Sequence, residues 1–272
     1  MYRDPKRFAR LFPSKPIIGM IHLAPLPGSP AYEGSMQNIL DIAVRDTEML
    51  EQGGVDALMI ENFFDSPFFK DKVGPETVAA MTAIITVLRQ RTRLPLGVNV
   101  LRNDGMSAIA IAVACQCQFV RINQLSWAML TDQGIIEGKA AEILRYRRQL
   151  DSEVLIFADC LVKHAVSLAP QSMELVAMDT WERGGADALV ISGTATGKET
   201  DINDVLEARK GAPDAPIVIG SGITQTNLQT FLPAVEGVLV GTYFKEAGNV
   251  EAPVDLVRVR EMVNLKKTLY SV

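Results

Sequence analysis

The chain has 272 residues, 48% of them hydrophobic, with 27 basic against 32 acidic side chains and a net charge of −5. That length buries one large core and matches the roughly 250 residues of a single (β/α)8 barrel, while the interspersed acidic balance excludes the basic face that nucleic acid asks for. Three cysteines, Cys115, Cys117 and Cys160, sit in apolar segments without a CxxC pair, as expected of buried thiols in a reduced, cytoplasmic protein.

Residues 1–15 are polar and basic without an apolar signal region, and they read as an N-terminal extension to a single domain spanning 16–272. The longest uncharged apolar run, Ala108 to Cys115, is far short of a membrane span, so any membrane contact is expected to be peripheral. Pro16 to Leu23 is a short β-branched run bounded by prolines and predicts the first strand. The proline-rich segment Ala24 to Pro30 lacks donors and has fixed φ, and predicts a stiff loop over a barrel mouth. Met36 to Gln52 is amphipathic and stops at Gly53-Gly54, as a helix does.

The same alternation continues. Strands are predicted at 55–62, 96–100, 118–123, 154–159 and 187–192, and helices at 75–91, 106–116, 139–150, 172–183 and 201–209. A loop rich in Phe and Pro, 63–74, follows the second strand, and a polar loop with Trp127 and Asp132 follows the fourth. Pro216 to Lys245 supplies two more strands, each ending in Gly plus a hydroxyl residue, and Pro253 to Lys267 closes as a helix. Eight strand-helix units predict the (β/α)8 TIM barrel. An echo, Gly53-Gly-Val-Asp-Ala-Leu and Gly184-Gly-Ala-Asp-Ala-Leu, stands at the entrances to the second and sixth strands. It reads either as a half-barrel repeat or as shared helix-stop chemistry.

A barrel's chemistry sits at the C-terminal ends of its strands. Period two places His22, Glu61, Asn99, Arg121 with Asn123, Asp159, Ser192, Ser221 and Thr242 at inward strand ends. Asp159 or Glu61 reads as a general base, and Lys163 or His22 as the acid or electrophile, with His164 beside Lys163. The bland alternatives are an ion pair of Glu61 or Asp159 with Arg121, a hydrogen-bonded core histidine, and Asn99 and Asn123 tying loops to strand ends. Ser192, Gly193 and Thr194, together with Gly220, Ser221, Gly222, Gly241 and Thr242, are candidates for cradling a phosphate. In Ser192 to Thr200 the Gly-Lys pair is followed by Glu199, which breaks the Walker pattern. No cofactor is expected; a divalent metal on His22, Glu61 or Asp159 is weakly supported.

Several of these segments also carry a resemblance. His22-Leu-Ala-Pro-Leu-Pro-Gly-Ser-Pro30, Gly53 to Asn62, Pro95 to Asp104, Phe119 to Asn123, Thr131 to Gly134, Asp159 to Ala165, Ser192 to Gly197 and Ile219 to Gly222 resemble the BtpA/SgcQ family. The resemblance implies a TIM barrel related to ribulose-phosphate-binding barrels, an association of one branch with photosystem I biogenesis, and of the other with sugar metabolism. It supplies no catalytic residues. One departure is Gly241-Thr-Tyr-Phe-Lys245, where Tyr243 and Phe244 either narrow the phosphate cup or face away from it. Two functions follow as expectations. One is an enzyme on a phosphorylated sugar or related metabolite, of isomerase, epimerase, aldolase or lyase type. The other is a non-catalytic assembly factor using the Phe63 to Phe69 loop as a partner surface. A homo-oligomer is expected in either case.

Overall fold

The computed structural model describes residues 6–12, 14–193 and 199–270. Eight parallel strands close a barrel: β1 (Ile17–His22), β2 (Ala57–Glu61), β3 (Leu96–Asn99), β4 (Phe119–Ile122), β7 (Leu155–Asp159), β9 (Ala188–Ile191), β10 (Ile217–Ile219) and β11 (Gly237–Val240). Around it run α2 (Met36–Gly53), α3 (Pro75–Arg91), α4 (Gly105–Ala114), α5 (Ala140–Gln149), α6 (Met173–Glu182), α7 (Ile202–Gly211), the short α8 (Leu228–Phe231) and α9 (Leu256–Tyr270). Local chemistry starts these helices where the sequence says it should. Ser35, Asp104, Ser172 and Asp201 each accept a backbone N–H of the first turn, and Pro75 opens α3. The last helix begins three residues later than expected, because Asp255 rather than Pro253 caps it, accepting Val257 N–H at 2.8 Å.

The expected strands and helices are present, and three further elements were not foreseen. A short helix, α1 (Arg7–Leu11), lies in the segment before the first strand. Its Phe8, with Phe12 just beyond, packs on Phe119 and Phe157 at ring-centroid distances of 5.4 to 5.9 Å. This closes the barrel floor, where Ile18, Met59, Leu155, Val218 and Leu239 also meet. Arg7 ties the helix down through Asp187 Oδ1 at 3.1 Å, and Asp187 Oδ2 takes Arg147 at 2.6 Å. Gly97 stands on the inward track of β3 because a Cβ there would fall 2.3 Å from the Phe119 ring.

The other two unforeseen elements cover the mouth. The polar loop after β4 folds into a hairpin, β5 (Ala128–Thr131) and β6 (Gly134–Glu137), and β8 (Ala165–Ser167) pairs antiparallel with β5. Its turn, Asp132-Gln133, is only two residues long and its strands only four, so a polar loop was the reading the sequence favoured.

The Gly-Gly-x-Asp echo has a physical role. Asp56 accepts the N–H of Ile17 at 2.7 Å, and Asp187 accepts that of Ile156 at 2.9 Å. Gln118 does the same for Leu96 and Glu236 for Ile217, at 2.9 and 2.7 Å. In each case the residue just before the second, fourth, sixth or eighth strand around the barrel holds one of the first two amides of the barrel strand preceding it. The echo is thus half of a fourfold device that satisfies buried backbone donors at the barrel floor.

Candidate active site

The strand ends converge on a cavity of about 720 Å³ at the C-terminal mouth. His22 from β1, Glu61 from β2, Arg121 and Asn123 from β4 and Lys163 from the loop after β7 line it together. Asp159 and Asn99 do not reach the cavity. They are fully buried and lie behind Arg121 and Asn123 as a support. Arg121 clamps Asp159 through two hydrogen bonds of 2.9 Å, Nε to Oδ1 and Nη2 to Oδ2. Asn123 Nδ2 donates to Oδ2 at 3.1 Å, and Asn99 Nδ2 donates to Asn123 Oδ1 and to the Arg121 carbonyl, both at 3.0 Å. Both Asp159 oxygens are therefore occupied by donors.

Glu61 presents the opposite case. It is buried at the cavity wall, and its carboxylate hydrogen-bonds to none of the described residues. Burial pushes its pKa above the ordinary 4.5, against the pull of Arg121 and Lys163. His22 stacks on Phe63 at 4.4 Å between centroids, and its Nδ1 is buried without a partner among the described residues. Burial first, then the charges of Lys245, Lys163 and Arg121, hold its pKa down at about 3, so the imidazole is neutral at pH 7. Lys163 donates to the Gly220 carbonyl at 3.2 Å. Burial and the nearby Arg121 bring its pKa down to about 8. His164, exposed and with φ of 52°, lines the rim, and Asp159 and Lys163 share no hydrogen bond.

Two of the inward strand-end assignments need correction. Ser221 and Thr242 line the cavity from the turns above the strands, while the inward track itself ends at Gly220 and Gly241. Val218 and Leu239 point into the floor, so period two carries on to 220 and 241. A Cβ on Gly241 would lie 2.9 Å from His22 Cε1, and one on Gly220 would lie 2.3 Å from Ser192 Oγ. Glycine at these two points lets the Ser192 and His22 side chains stand closer to the strands than a Cβ would allow. Gly222 turns the chain at φ 74°, which a glycine adopts without strain. Ser221 Oγ accepts the Gly193 N–H at 3.2 Å, joining the turns after β9 and β10.

Ser192 and Gly193 stand behind the cavity rather than on its wall; Ser192 Oγ is 3.5 Å from Arg121 Nη2. Thr194 and Lys198 lie outside the described residues. Phe244 faces away into the core between barrel and helices, whereas Tyr243 lines the cavity. Lys245, which ends that segment, is buried in an ion pair with Asp46 at 2.5 Å. Phe63, Phe64 and Phe68 also line the cavity, leaving Phe69 as the exposed member of that loop.

Taken over residues 13–268, the sequence matches the BtpA family. The chain belongs to the BtpA family. It is 46% identical to an uncharacterised protein of Thermococcus kodakarensis over 95% of this chain and 97% of that one. It is 43% identical to the photosystem I biogenesis protein BtpA of Synechocystis over 91% and 86%. Among solved structures, a native KDPGal structure superposes with a TM-score of 0.58 at 13% identity, covering 94% of this chain and 97% of that one. Phosphoribosyl anthranilate isomerase of Thermus thermophilus does so at 0.56 and 11%, covering 93% and 99%. At these identities the likeness establishes the TIM-barrel fold and nothing finer.

Strand-end reasoning assigns no role to Arg102 or Arg258, which also line the cavity, as does Tyr243, one of the two aromatics expected either to narrow the cup or to face away. Arg102 is buried just past β3 and donates to the Lys163 carbonyl. Its signal was present in Val100-Leu-Arg-Asn-Asp104, two residues beyond the strand end at which period-two counting stops. Arg258 comes from α9, an element to which strand-end reasoning assigns no functional side chain. Among the described residues no three His, Cys, Asp or Glu side chains group to hold a metal, and no helix is long and apolar enough to cross a membrane. The thiols are buried, and burial pushes Cys117 up to about 12.

Proposed function

We propose that this BtpA-family barrel is an enzyme that moves a proton next to a carbonyl of a phosphorylated sugar or related metabolite, in a reaction of isomerase, epimerase, aldolase or lyase type. The observation that carries the reading is Glu61: a buried carboxylate, unbonded to any described residue, on the wall of a cavity shared with a neutral imidazole and a lysine near pKa 8. A buried carboxylate whose pKa is raised is suited to taking and returning a proton. Lys163 and Arg121 supply positive charge where an enolate oxygen would develop, and His22 can donate a neutral hydrogen bond to it. The turns Gly220–Gly222 and Gly241–Thr242 bring backbone close to the same cavity, where an anionic group would find N–H donors.

The position of Phe63, Phe64 and Phe68 on the cavity wall supports the enzyme reading over the assembly-factor alternative, in which that loop is a partner surface. The test is a panel of sugar phosphates incubated in D2O and read by proton NMR for exchange of the C–H next to the carbonyl. Wild type should exchange at least one member that Glu61→Gln does not, and the same compound should raise the melting temperature by mass action. A broad panel with neither exchange nor thermal shift would remove the reading.

A further inference from the structure

Arg258 is a guanidinium on the cavity wall whose geometry is fixed by two contacts that leave its ends open. Its Cζ lies 4.3 Å from the Tyr243 ring centroid, in cation–π stacking range, and its Nε donates to the Tyr243 carbonyl. Tyr243 is held in turn through its hydroxyl, 3.3 Å from Gln225 Oε1 in the segment after β10. No carboxylate among the described residues pairs with Arg258, and Nη1 and Nη2 make no hydrogen bond to any of them. The residue lines the same cavity as Gly222, Ile223, Thr224, Gly241 and Thr242. The other conspicuous cation of this region, Lys245, is committed to Asp46.

From this arrangement we infer that Arg258 is the side chain that binds the substrate's phosphate, with Tyr243 as its stacking platform. The inference deepens the phosphorylated-substrate reading and rests on it. A guanidinium anchored through Nε and one face still offers Nη1 and Nη2 as a planar fork, the geometry that matches two phosphate oxygens. Stacking limits the rotamers the arginine must give up on binding, which favours the bound form. Tyr243 is also the first of the two aromatics that follow Gly241 and Thr242 at the eighth-strand turn. In the folded protein its ring narrows the cup and at the same time orients the cation. The substrate is then held at two ends, its phosphate against Arg258 and the turns, its reacting carbon against Glu61, His22 and Lys163.

Calorimetric titration of the full-length protein with inorganic phosphate, and with ribose 5-phosphate as a second probe, tests this at low salt. Arg258→Gln should weaken both affinities about 10- to 100-fold, the loss expected for a charge-assisted hydrogen bond. Tyr243→Leu keeps the charge, removes the platform and should weaken them several-fold. Arg148→Gln, an exposed cation on α5, should change neither. Equal phosphate affinity in wild type and Arg258→Gln would overturn the inference and leave the phosphate reading standing. If Arg258→Gln does not fold, unchanged affinity in Tyr243→Leu would overturn it instead. Failure of wild type to bind either probe would sink both.

Discussion

Glu61 and Asp159 end two strands of one barrel, point inward, and are both buried. Asp159 has three donors on its two oxygens and sits behind the cavity wall. Glu61 has none among the described residues and sits on that wall. Burial and proximity to Arg121 are common to both, so neither feature decides a role. The supply of hydrogen-bond donors separates them: where it is complete the carboxylate is structural, and where it is missing the charged form is costly and a proton becomes exchangeable.

The largest expected effect comes from breaking the open member. Glu61→Gln keeps the shape and removes the titrating group, and should lower turnover of an identified substrate by roughly 10²- to 10⁴-fold. Its stability at pH 7, read by urea unfolding, should equal or exceed that of wild type. Loss of stability there would show that Glu61 is structural after all. Asp159→Ala should do the reverse in stability, costing about 3–5 kcal/mol because it leaves Arg121 buried without its counter-charge. A variant that unfolds at the wild-type urea midpoint would erase the distinction between the two carboxylates.

The position of both carboxylates is legible in the sequence, and the difference between them is not. Strand ends, parity and residue type put both carboxylates at the mouth from sequence alone, because a period of two is enforced by the pleat. Which of them Arg121 would clamp depends on the neighbouring strands. Arg121 reaches across from β4 to its hydrogen-bonded neighbour β7, and that adjacency is a property of the closed sheet. At Ser221 and Thr242 parity outweighs polarity, and these side chains reach the cavity from the turns instead of the inward track. The structure puts Gly220 and Gly241 on the inward track, and their value lies in the space they leave. The hairpin over the mouth and the α1 plug leave little signal in the sequence because each is short, and Phe8 and Phe12 acquire an apolar partner only once the barrel floor exists.

Smaller perturbations sharpen the account. Gly241→Ala would push a methyl against the His22 ring and should cost about 1–3 kcal/mol by overpacking, with a matching loss of sugar-phosphate affinity. Stability without loss of affinity would place His22 away from the ligand. In pH, Glu61 and His22 should oppose one another. Glu61 has a folded pKa above 4.5, so the stability it gives is fully present below 4.5 and is lost as pH rises through the folded value. His22 falls from 6.5 to about 3, so its contribution is present above 6.5 and is lost as pH falls toward 3. Subtracting the Glu61→Gln stability profile from that of wild type should leave a curve that descends with pH. A flat difference would mean that Glu61 titrates as an ordinary surface carboxylate.

The most direct measurement is a carbon-13 NMR titration of the glutamate side-chain carboxyls, with the Glu61 resonance assigned by its absence in Glu61→Gln. A midpoint clearly above 4.5, moving further when a sugar phosphate is bound, is the result predicted for a carboxylate held ready to exchange a proton. A midpoint at or below 4.5, unmoved by ligand, would contradict the account at its centre.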